Sequence, residues 1–144
     1  LGLATGSVGL LKHTTNKDCP WSLERYGGDQ PYVLLGEAPP EDKKPGHCFP
    51  GGHSSGAFGF FGLYFLMVRR RPAWARRTLA GVLFLGFVFA ATQWVRGAHF
   101  VSHDLWSAAI GWLAAALALP ILGPQVRASR SARLRQSEES AGVG

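Results

Sequence analysis

Two stretches of 18 residues, Thr78–Val95 and Leu105–Leu122, contain no charged residue. That absence excludes an ordinary half-exposed surface helix for either of them. At about 1.5 Å per residue each covers roughly 27 Å of helix, close to the thickness of a bilayer core. Both are therefore read as transmembrane helices rather than as buried helices of a soluble domain. Acidic residues are also scarce: 9 against 15 Lys and Arg, for a formal net charge of +6. The start has no signal-peptide pattern and no methionine, and Leu1–Leu11 is already apolar and glycine-rich. It reads as the end of a helix, so upstream spans are expected to be missing. No internal repeat is visible, which excludes a repeat architecture.

The chain is long enough for one domain. Its 47% hydrophobic content would by itself suit a soluble protein, so distribution has to decide. The arginines gather as Arg69, Arg70, Arg71, Arg76 and Arg77, and again as Arg127, Arg130, Arg133 and Arg135. Both clusters abut apolar runs, so they fit anchoring at a membrane surface better than nucleic-acid binding. A third apolar run, Ser54–Val68, is short for a span, but the arginines after it can snorkel and extend its reach. Gly56, Gly59 and Gly62 recur there at helical spacing, which predicts the close approach of a neighbouring helix. The expected fold is an all-α polytopic membrane bundle: spans near residues 54–68, 78–95 and 105–122, plus the end of an upstream helix. The bundle occupies residues 1–124, and residues 125–144 form a basic tail expected to be disordered.

The positive-inside rule places the Arg69–Arg77 loop and the tail in the cytoplasm. Residues 12–50 and the turn around Gly97–Ser102 then lie together on the outer side. Composition points to a bacterial inner membrane. The stretch 12–50 is polar and rich in Pro and Gly, so it reads as one outer loop with short interfacial helices. It holds both cysteines, Cys19 and Cys48. In an exported loop they either pair as a disulfide or remain free thiols.

Three polar clusters sit on this outer side at the ends of apolar helices, where ionisable groups suggest function. The first is Pro50-Gly51-Gly52-His53-Ser54-Ser55. Its glycines leave backbone N–H groups open to an anion, and His53 stands where it can protonate a leaving oxygen. The second runs from Arg96 to Asp104. His99 has His103 four residues on and Asp104 five on, so both reach its side of a helix. A carboxylate beside an imidazole fixes its tautomer and stabilises its cation, as a nucleophilic histidine requires. The third is Lys12–Pro20, where Lys12 can meet a phosphate as a point charge. Taken singly, each cluster also reads as a glycine turn, a helix cap or an interfacial lysine.

Together the clusters resemble the type 2 phosphatidic acid phosphatase superfamily, over most of the chain. That family carries Lys, six residues, Arg-Pro; then Pro-Ser-Gly-His; then Ser-Arg, five residues, His, three residues, Asp. Here Lys12 is followed after six residues by Cys19-Pro20, the middle motif reads Pro50-Gly51-Gly52-His53, and Thr92-Gln93 precedes His99 by five residues. The acid, Asp104, comes one position late, and His103 stands in its expected place. The resemblance implies that Lys12 and the Gly52 amide bind phosphate and His53 protonates the leaving group. It implies that His99 attacks phosphorus to form a phosphohistidine and that Asp104 orients it. Cys19 and Gln93 replace phosphate-binding arginines; Arg96, about one helical turn after Gln93, is expected to supply the missing charge, and His103 to contact His99 or the substrate. Lys17 and Arg25 are further donors from the loop. The implied activity is hydrolysis of a lipid phosphate or pyrophosphate, with membrane lipids as surroundings and no cofactor, metal or nucleic acid. Two other readings stand beside it. In one, a membrane hydrolase uses zinc held by His99 and His103 with His53 or Asp104. In the other, a non-catalytic lipid-binding protein has kept the fold.

Overall fold

A computed structural model describes residues 1–34 and 37–141, with side chains as far as residue 121. The regular elements of the described residues are all helical, apart from a single bridge between Leu23 and Gln30. Helix α1 spans Gly2–Thr14, α2 Gly52–Phe58, α3 Phe61–Met67, α4 Pro72–Val95 and α5 Val101–Ala141. Two short 3-10 turns, Pro20–Ser22 and Glu24–Tyr26, punctuate the long loop after α1.

Each boundary has a local cause. Pro72 opens α4 at a first-turn position, where its fixed φ suits the helix and its missing N–H costs nothing. Gly97 closes the end of α4 with φ +66°, a left-handed conformation that glycine adopts without a Cβ clash. The Ala98 N–H then reaches back to the Gln93 carbonyl at 2.8 Å. Asp104 lies in the first turn of α5, where the helix dipole favours negative charge.

Two helices, Pro72–Val95 and Val101–Ile121, are long and apolar enough to cross a membrane. Only 22% of each apolar window is buried within the described structure. Phe84, Phe87, Phe89, Leu113 and Leu117 stay exposed, which favours apolar surroundings. The third expected span, 54–68, is instead broken into α2 and α3. At the break the Phe60 N–H bonds to Ala57, three residues back, so the regular ladder is lost. Gly56, Gly59 and Gly62 lower the helix propensity of this stretch. The last helix also differs from expectation. It passes through Pro120 and Pro124 and continues as helix to Ala141, where a disordered tail was expected. The residues that follow the prolines are mostly Ala, Arg, Leu, Gln and Glu, all good helix formers. Residues 142–144 lie outside the described residues.

Phe58 is central to the packing. With Phe61 and Val82 it forms the buried core, flanked by Leu79, Ala108 and Ala115. Of the glycines expected to allow close approach, Gly59 does so: a β-carbon there would lie 2.5 Å from Leu1 Cδ1, at the start of α1. Two others outside that stretch do so as well. A β-carbon on Gly86 would lie 2.8 Å from Phe58 Cδ1, and one on Gly111 would lie 2.9 Å from the Phe58 carbonyl oxygen. Gly56 and Gly62 face open space. So α2 docks between α4 and α5 through Phe58, over glycines on the two partner helices.

Candidate active site

The chain direction alternates so that α1 ends, α2 begins, α4 ends and α5 begins at one end of the bundle. The long loop after α1 is tied to that end. The Trp21 N–H donates to the Gly97 carbonyl at 2.9 Å, and Thr15 Oγ1 donates to the Phe49 carbonyl at 2.8 Å. Cys19 and Cys48 are joined in a disulfide, so of the two alternatives for this pair the bonded one holds. The Cys48 N–H donates to the Lys17 carbonyl at 2.9 Å, and the Asp18–Lys43 ion pair (2.8 Å) closes the same loop.

The three sequence clusters meet here. His99 is 6% exposed, and its Nδ1 lies 3.3 Å from Asp104 Oδ1. The His53 ring is exposed, with its centroid 6.1 Å from that of His99. Lys12, half-buried, runs beside Gly52: a β-carbon there would sit 3.2 Å from Lys12 Cε and Nζ. Lys12 follows the apolar stretch of α1. Its burial pulls the ammonium pKa below the ordinary lysine value, and attraction to Asp104 opposes that shift.

Asp104, only 3% exposed, has more partners than the sequence suggested. Ser54 Oγ donates to its Oδ1 at 2.6 Å, and Trp94 Nε1 donates to its Oδ2 at 2.8 Å. Ser107 Oγ lies beneath, donating to the Gly51 carbonyl at 2.7 Å. Trp94 and Ser107 were not legible as site residues. Nothing in one sequence marks a tryptophan five residues before His99 as the partner of an acid five residues after it. Ser54 lay inside a motif already singled out, without a role.

Arg96, expected to supply the missing charge, is placed away from the cluster. Arg96 is exposed, and its guanidinium carbon lies 5.9 Å from the Trp21 ring centroid. The left-handed turn at Gly97 reverses the chain directly after it, so helical spacing does not continue from Gln93 toward His99. Gln93 is itself buried, 5% exposed. His103 is buried between Phe49 and Phe100, each ring centroid 5.3 Å away, and its Nδ1 has no hydrogen-bond partner. One position along a helix turns a side chain by about 100°. Asp104 therefore faces His99 Nδ1, while His103, its ring centroid 5.8 Å from that of His99, lines a cavity of about 1080 Å³. Leu11, Phe49, Phe100, Trp106 and Ile110 give that cavity an apolar wall, and Lys17 and Arg25 also border it. Among the described residues, no group of three His, Cys, Asp or Glu side chains is placed to hold a metal ion.

This is an all-helical protein with a histidine–aspartate pair and a second histidine at one end of its bundle. A family model described as the PAP2 superfamily matches residues 1–127. The chain belongs to that superfamily, the type 2 phosphatidic acid phosphatases, whose members are generally phosphatases. No curated protein and no solved structure matches it.

Proposed function

We propose that this chain is an integral membrane phosphatase that hydrolyses a lipid phosphate or lipid pyrophosphate through a phosphohistidine. The observation that carries the reading is the buried His99–Asp104 pair, with His53 and Lys12 against it. With Nδ1–H donating to Asp104, His99 keeps its lone pair on Nε2. That nitrogen attacks phosphorus; an N–P bond forms and the ester or anhydride P–O bond breaks. His53 gives a proton to the departing oxygen. Water then attacks phosphorus, the N–P bond breaks, His53 takes a proton from the water, and phosphate leaves. Lys12, with the Gly52 amide, offsets the charge on the equatorial oxygens. Nucleophile, acid and cation are all side chains of the protein.

The mainly apolar cavity bordered by His103, whose ring lies 5.8 Å from that of His99, favours a lipid over a small soluble phosphate, because it offers an acyl or prenyl chain a place one side chain away from His99. Two exposed apolar helices favour a membrane setting. The disulfide in the loop at the site end, and the arginines Arg69–Arg71 before α4 at the other, favour an extracytoplasmic site in the plasma membrane.

A second reading draws on a specific observation. Cys19 is committed to a disulfide and Arg96 lies over Trp21, so Lys12 is the cation placed against the cluster. A site with fewer cations suits a lipid-binding protein without turnover. Phosphate release from a panel of lipid phosphates and pyrophosphates, by the full-length protein in detergent with chelator, separates the two. Release that persists in chelator and disappears in His99→Ala is expected. Release abolished by chelator would point to metal chemistry, and no release from folded protein would leave the lipid-binding reading.

A further inference from the structure

The Asp104 carboxylate is held from two helices and from the turn between α4 and α5. It accepts from Ser54 of α2 on Oδ1 and from Trp94 of α4 on Oδ2, and it faces His99, which lies just before α5. A β-carbon on Gly51 would overlap Oδ1, and would lie 3.0 Å from Asp104 Cγ and 3.1 Å from His99 Nδ1. Gly51 cannot retreat. Its N–H donates to the His103 carbonyl at 2.9 Å and its carbonyl accepts from Ser107 at 2.7 Å. Positions 51 and 104 thus share one volume, and the two departures from the family pattern there fit together. With the acid one residue later on α5, its carboxylate fills the space of the serine side chain that Gly51 lacks.

We propose that Trp94 and Ser54 are positioning residues that act on His99 through Asp104, and that residue 51 must be glycine because the Asp104 carboxylate occupies its β-carbon space. This rests on His99 as the nucleophile. Ser54 and Trp94 each fix one carboxylate oxygen, so Oδ1 is presented to Nδ1 in a single orientation. Without them the carboxylate turns about its Cβ–Cγ bond, and the imidazole loses both tautomer and direction.

The test is a double-mutant cycle read in two ways: phosphate release from a substrate that wild type turns over, and carbethoxylation of His99 by diethyl pyrocarbonate, followed by mass spectrometry. Trp94→Phe keeps the aromatic packing against Phe87 (centroids 5.8 Å apart) and removes only the donor. Trp94→Phe and Ser54→Ala are each expected to lower kcat about tenfold with KM nearly constant, and to change the carbethoxylation rate of His99. In an Asp104→Ala background the same substitutions are expected to change either readout less than about twofold. Gly51→Ser is expected to lose folding or activity alone, and to recover a native elution profile when paired with Asp104→Ala. Equal losses from Trp94→Phe with and without Asp104 would overturn the positioning role. A well-folded, fully active Gly51→Ser with Asp104 in place would overturn the shared volume. If wild type releases no phosphate but the carbethoxylation cycle behaves as stated, the positioning stands and the phosphatase reading falls.

Discussion

Phe58 of α2 lies so close to Gly86 of α4 that a β-carbon on the glycine would come within 2.8 Å of Phe58 Cδ1. The contact sets where α2 enters the bundle, and α2 carries His53 and Ser54. Adding a methyl group there overpacks the core. Gly86→Ala and Gly111→Ala should each destabilise by about 1–3 kcal/mol. Gly56→Ala, which meets open space, should be neutral or stabilising by up to about 1 kcal/mol. Thermal unfolding in detergent checks this, and equal shifts for all three would refute it.

The disulfide closes a loop with a sequence separation of 29. By chain entropy such a closure contributes about 3–4 kcal/mol. Reduction, or Cys19→Ser with Cys48→Ser, should therefore lower the unfolding temperature and open the loop to proteolysis between residues 20 and 47. Activity should fall as well, because the loop is tied to the site through Thr15–Phe49 and Trp21–Gly97. Unchanged protease resistance after reduction would count against a structural role for the bond.

Lys12→Ala should lower kcat/KM roughly a hundredfold, in line with the loss of one preorganised charge from an active site. Lys12→Arg should recover part of that loss. Arg96→Ala should cost far less than Lys12→Ala, because Arg96 lies over Trp21. Steady-state kinetics on the best substrate of the panel decides between them, and the reverse ranking would show that Arg96 swings into the site.

Filling the cavity beside His103 should change selectivity more than chemistry. Ile110→Trp should lower kcat/KM for a long-chain lipid phosphate about tenfold relative to a short-chain analogue of the same headgroup. Parallel losses for both chain lengths would mean that the acyl chain binds elsewhere.

The sequence alone determined the helical class, the two longest apolar helices and the gathering of His53, His99, Asp104 and Lys12 at one end. Uncharged length fixes a helix that can cross a bilayer, and the alternating direction of successive helices fixes which ends meet. Tertiary structure decided the rest. Whether Asp104 or His103 faces His99 depends on where α5 starts, a boundary that residue spacing leaves uncertain by a residue or two. Arg96 lies over Trp21, which the loop after α1 brings to the end of α4 through the Trp21–Gly97 hydrogen bond. The glycines that matter are Gly86 and Gly111 because Phe58 reaches them from another helix, and Trp94 meets Asp104 across the turn between α4 and α5. Contacts of this kind depend on how helices pack, and the periodicity of one chain reports only the face that a helix turns inward.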